Sequence, residues 1–118
     1  MTIDAADPAV LAEFWALALG YRPAQPASAG QARLMDPDRT GPRLFFQRVG
    51  GPKRGKNRVH LDVHASAAAT GRDDQVRMIR AHAEVLLAAG ARLVEERDEP
   101  DQFWIVMQDP EGNGFCLD

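Results

Sequence analysis

Two stretches of this chain close a helix and re-enter an extended run in the same way. Leu17-Ala18-Leu19-Gly20-Tyr21-Arg22 parallels Leu87-Ala88-Ala89-Gly90-Ala91-Arg92, and Met35-Asp36-Pro37-Asp38 parallels Gln108-Asp109-Pro110-Glu111. Ile3-Asp4 aligns with Leu61-Asp62 in the same order, with a longer strand-to-helix crossing in the second copy. An internal repeat constrains the fold more than any single motif does, because each copy must form the same supersecondary unit.

The unit can be read from its punctuation. Asp7 is a candidate N-cap and Pro8 falls at the first helical position, where a missing N–H does no harm. Leu11, Phe14, Trp15, Ala18 and Leu19 recur at helical spacing, and Gly20 tolerates the left-handed conformation that ends a helix. The spacing predicts a helix over Pro8–Leu19, preceded by a short strand at Thr2-Ile3-Asp4-Ala5. GYRPAQ, QARLMDP and PRLFFQRV then read as a three-strand meander split by Pro26, Gly30, Pro37 and Gly41.

After the period-free basic stretch GGPKRGKN, residues 50–57, the order restarts. RVHLDVH reads as a strand. Val76, Ile79, Ala83, Leu86 and Leu87 form the apolar stripe of a second helix, with Asp73 or Asp74 as its cap and Gly90 at its close. ARLVEE, FWIVMQ and GFCLD, separated by DEPD and DPEGN, make a second meander. The expected fold is α+β: one domain over 1–118, with a βαβββ module at about 1–49, a connector at 50–57 and a second module at about 58–118.

Composition narrows the function classes. A hydrophobic fraction of 45% with 26% charged residues suits a folded core. A net charge of −3 argues against nucleic acid as a partner. No apolar run approaches the roughly 20 residues needed to span a bilayer, so no membrane is expected. The lone Cys116 and the absence of a leader-like N-terminus point to a complete cytoplasmic protein, although so short a first strand also allows a start further upstream, or an edge covered in a homodimer.

ADPAVLAEFWALALGY, KNRVHLDV and above all WIVMQDPEGNGFCL resemble the glyoxalase and bleomycin-resistance-like group of the vicinal oxygen chelate superfamily. The resemblance covers nearly the whole chain. It implies two βαβββ modules whose strands form a curved, cup-shaped sheet with the helices outside, a small-molecule ligand, and frequent pairing into homodimers.

Strand alternation puts His60, Asp62 and His64 on one face, and Val59, Leu61 and Val63 on the helix-facing side. The bland alternative is that His60 and Asp62 only bond each other or a neighbouring strand. By resemblance, the ligand positions of metal-using relatives fall on Thr2, on Phe45 or Gln47, on His60 and on Cys116. Only His60 keeps a usual ligand type, and the first half offers no obvious carboxylate or histidine. This set is short of donors for Mg²⁺, Mn²⁺ or Ni²⁺. Zn or Fe held by His60 and Cys116, with Asp62, His64 or Gln47, is the remaining metal option. Cys116 as a nucleophile would need a cation to lower its pKa, and a mid-strand position promises only His60.

One of Phe45 and Phe46, and one of Phe103 and Trp104, should face the ligand, with Gln47 and Gln108 adding polar contacts. Two functions follow. One is a metal-free protein that binds, and so sequesters, a natural product or metabolite. The other is a metal-dependent lyase, isomerase or dioxygenase-like enzyme that uses His60, with Asp62 or His64 as acid or base. Glyoxalase I activity itself is not expected from this ligand set.

Overall fold

A computed structural model describes residues Met1–Asp118. Its contacts divide into two compact units, Met1–Lys53 and Arg54–Asp118, with the division inside the basic connector.

The first unit contains β1 (Thr2–Ala5), α1 (Pro8–Leu19), β2 (Arg22–Pro23), β3 (Gln31–Met35) and β4 (Leu44–Arg48). The α1 helix begins where its punctuation says: the Asp7 carboxylate accepts from the Ala9 and Val10 N–H groups at 3.2 Å each. It ends on Gly20 at φ 67°. Leu11, Trp15 and Ala18 are buried, and the helix packs on β3 and β4. The sheet order is β1-β4-β3-β2, with β1 parallel to β4 and the other pairs antiparallel.

The second unit contains β5 (Leu61–Val63), α2 (Arg72–Ala88), β6 (Arg92–Glu99), β7 (Gln102–Gln108) and β8 (Gly114–Leu117). Its order, β5-β8-β7-β6, repeats the first, again with the first strand parallel to the last. Ile79 and Leu86 of α2 lie in the core with Phe103, Ile105, Met107, Phe115 and Leu117. This is the α+β architecture expected from the repeat.

The repeat extends to the turns. Asp36 accepts from the N–H groups of Asp38, Thr40 and Gly41 and from the Thr40 hydroxyl. Asp109 accepts from the N–H groups of Glu111 and Asn113 and from the Asn113 amide. Each Asp-Pro turn is therefore tied by its own carboxylate, which satisfies backbone donors that the tight path would otherwise orphan. A Cβ on Gly41 would sit 2.0 Å from the Tyr21 hydroxyl oxygen, so any larger residue here would have to displace the end of the tyrosine side chain.

Three local expectations need correction. RVHLDVH is a strand only over Leu61–Val63; Val59 lies outside it and is 77% exposed rather than turned to the helix. Neither Asp73 nor Asp74 caps α2, whose N-cap is Gly71; both lie within the first turn, where acidic side chains still suit the helix dipole. The DEPD turn shrinks because β6 runs on to Glu99, at the sheet edge with every residue exposed.

Phe46 is fully buried while Phe45 is half-buried on the other face, so Phe46→Ala should cost about 3–5 kcal/mol. Phe45→Ala should cost clearly less, as urea unfolding would measure. The bonds to Asp36 hold its pKa down, from 3.8 to about 2, led by the Gly41 N–H and the Thr40 hydroxyl. Its stabilisation is complete above pH 3.8 and is lost as pH falls through about 2. Urea midpoints measured across this window should fall with acid in the parent and fall less in Asp36→Asn.

Candidate functional site

The parallel pairing of first and last strands sets the site. In the second unit Leu61 lies opposite Phe115, Asp62 opposite Cys116, and Val63 opposite Leu117. Phe115, Leu117 and Val63 are buried on the helix side. Asp62 and Cys116 therefore share the open face, and His60, just ahead of β5, joins them. One ligand atom from each of His60, Asp62 and Cys116 lies within 4.8 Å of the others, and His60 Nε2 is 3.7 Å from the Asp62 carboxylate. The connector secures this corner, because the Asn57 side-chain oxygen accepts from the Gly114 N–H at 3.2 Å.

His64 turns to a different partner. Its Nδ1 is 2.6 Å from an oxygen of Asp118, two residues beyond Cys116. A groove of about 610 Å³ opens here, bordered by Asp62, His64, Cys116, Asp118, Trp104 and Asp101. Trp104 is half-buried on the open face, whereas its neighbour Phe103 is 2% exposed, with the Arg80 guanidinium 5.1 Å above its ring. Gln108 lies on the Cys116 side of β7 but is bonded by Arg92, away from the groove.

The Cys116 thiol pKa is raised, first by burial and then by the charges of Asp62 and Asp118, with a hydrogen bond to Asp62 adding to the effect. A thiol held in its protonated form is a poor nucleophile.

The first unit has the same construction with different residues. Thr2 lies opposite Phe45, Ile3 opposite Phe46, and Asp4 opposite Gln47. The register thus makes Gln47, not Phe45, the counterpart of Cys116, and Asp4 the counterpart of Asp62. The Gln47 amide donates to Asp4 at 2.8 Å. The expectation that this half has no carboxylate is corrected by Asp4, which the alignment of Ile3-Asp4 with Leu61-Asp62 already signalled. Phe46, a candidate ligand contact, is instead core. Asp118 could have been found by alternation from Cys116; Asp101 lies in a turn, where alternation places nothing.

Solved structures share this fold. A glyoxalase/bleomycin resistance protein/dioxygenase family enzyme from Burkholderia phytofirmans PsJN matches with a TM-score of 0.72 at 18% identity, over 99% of this chain and 93% of its own. The fosfomycin resistance protein FosX from Listeria monocytogenes, a variant complexed with Mn(II) and 1S,2S-dihydroxypropylphosphonic acid, matches at 0.69 and 12%, over 98% and 83%. TioX from Micromonospora sp. ML1 matches at 0.61 and 19%, over 99% and 93%. No curated protein matches the sequence. The fold is that of the glyoxalase/bleomycin-resistance/dioxygenase class, the vicinal oxygen chelate superfamily. A model of the glyoxalase-like domain matches residues 1–117, and this chain belongs to that family.

An ion such as the Mn(II) of FosX does not fit the donors here, because oxygen-favouring ions need more than one carboxylate and one imidazole beside a thiol. The set matches zinc in donor type and in number, since a catalytic zinc takes three protein ligands. Zinc–ligand bonds of about 2.0–2.3 Å imply donor separations of roughly 3.3–3.8 Å; the His60–Asp62 separation of 3.7 Å already meets this, and only a pair near the 4.8 Å limit of the cluster would have to close.

Removing the Asp62 charge should release the thiol. Asp62→Asn is expected to shift the pH profile of Cys116 labelling by a disulfide reagent to lower pH and to speed labelling at pH 8, with an unchanged profile counting against the pairing.

Proposed function

We propose that this protein binds a small organic molecule in the groove of its second unit, without a metal, and so sequesters a natural product or metabolite. The groove itself carries this reading: about 610 Å³, a size suited to a small ligand, with the Trp104 ring as one wall. Asp62, Asp101 and Asp118 on its border favour a flat ligand with a positive charge over an anion. Trp104 supplies stacking area, Asp62 and Asp118 supply acceptors, and His64, oriented through Nδ1 by Asp118, presents Nε2 as a donor or acceptor. Cys116, protonated, acts as a small polarizable floor. Gln108, held by Arg92, is left out of this reading.

The second reading, a metal-dependent lyase, isomerase or dioxygenase-like enzyme, is favoured by the approach of His60, Asp62 and Cys116. These residues would hold a zinc or iron ion, which when bound would polarise a carbonyl or enolate oxygen. His64 is then the better acid or base, because Asp62 is committed to the ion and Asp118 orients the imidazole.

Tryptophan fluorescence separates the readings. Trp15 is buried on the inner side of α1 at 3% exposure, so quenching by a planar heteroaromatic cation should come from Trp104 and vanish in Trp104→Phe. Quenching that survives chelator treatment supports sequestration. Stoichiometric zinc or iron in the purified protein, lost in His60→Ala, together with ligand binding that needs the metal, would overturn it.

A further inference from the structure

The open face of the first unit carries a groove that the reading above does not use. It encloses about 550 Å³, and Gln25, Arg33, Met35, Arg43 and Phe45 are among its borders. Arg33 projects here because its neighbours Ala32 and Leu34 are buried on the helix side of β3. It lies opposite Phe45 in the register, and its guanidinium carbon is 5.0 Å from the Phe45 ring centre.

The charges of this groove are unbalanced. No acidic residue lines it. Asp36, which follows Met35 in the chain, is tied into its own turn, and Asp4 is bonded by Gln47. Neither Arg33 nor Arg43 has a carboxylate partner. In the second unit, by contrast, Arg72, Arg77, Arg80 and Arg97 each hold one, on Asp98, Asp74, Glu96 and Glu95. The two units also differ in net charge. Met1–Lys53 carries six basic residues against five acidic, whereas Arg54–Asp118 carries eight against twelve.

We propose that this groove is a binding site for an aromatic carboxylate. The guanidinium of Arg33 is already oriented by the Phe45 ring, which lowers the entropy lost on pairing, and its planar fork matches the two oxygens of a carboxylate. Arg43 supplies the second cation. Phe45 and Met35, both half-buried, offer an apolar and polarizable surface for the ring that carries the acid. Gln25 can donate to a carboxylate oxygen left free at the rim. The site selects against cations, the opposite of the second unit's groove, and does not depend on the function proposed for that groove.

The probe is 2-naphthoate, titrated into isotopically labelled full-length protein and followed by amide chemical shifts, with neutral 2-naphthylmethanol as the comparison. Saturating shifts at Arg33, Met35 and Phe45 are expected with the acid and not with the alcohol. Arg33→Gln and Arg43→Gln should each weaken binding about tenfold, the loss of one charge-assisted contact. Arg33→Lys should recover only part of the affinity, and Trp104→Ala should leave it unchanged. Arg33 and Arg43 are exposed, so the spectra of their variants should stay native elsewhere. Equal binding of the alcohol would overturn the proposal. So would 2-naphthoate binding that keeps the parent affinity in Arg33→Gln, or that disappears in Trp104→Ala.

Discussion

Both units depend on a parallel ladder between their first and last strands. A parallel pair cannot be closed by a tight turn, so each unit must send its chain through a helix and two antiparallel strands before the ladder can form. Thr2–Ala5 therefore waits for Leu44–Arg48, and Leu61–Val63 for Gly114–Leu117. The pairing does two things at once. It fixes which side chains face the helix, and it brings Asp62 against Cys116 across more than fifty residues of chain.

The same ladder has diverged differently in the two halves. In the first, Asp4 and Gln47 bond one another and form a closed polar pair. In the second, Cys116 is smaller and gives Asp62 only a thiol to bond, which leaves the carboxylate facing His60 and the groove. One construction thus yields a self-satisfied corner and an open one. The backbone register is common to both, and the contrast comes from two positions, Gln47 against Cys116 on the last strand and Thr2 against His60 at the first.

Much of this was legible in the sequence, and the rest failed for identifiable reasons. The α1 boundaries follow from Asp7, Pro8 and Gly20, because caps are local chemistry. The open-face position of Asp62 follows from alternation. Alternation could also say that Phe45 and Phe46 diverge, but not which was buried; that needed the register of β4 against Ile3. The extent of β6 was missed because its charged residues carry no hydrophobic period, so its pairing with β7 decides where it ends. The α2 cap was misplaced because two acidic residues in a first turn look much like a cap from sequence alone. His64–Asp118 and Asp101 are tertiary facts, set where β8 ends and where a turn meets the sheet.

The longest strand of the second unit is also its most exposed. β6 presents one free edge, the kind of edge on which another extended chain could template itself. Its register slips between Leu93 and Glu95, Glu95 bonds Arg97, and Glu96 and Asp98 are drawn toward Arg80 and Arg72. An incoming strand would meet a kinked border dense with carboxylates, which makes the charge pattern of β6 a guard against aggregation as well as a source of ion pairs.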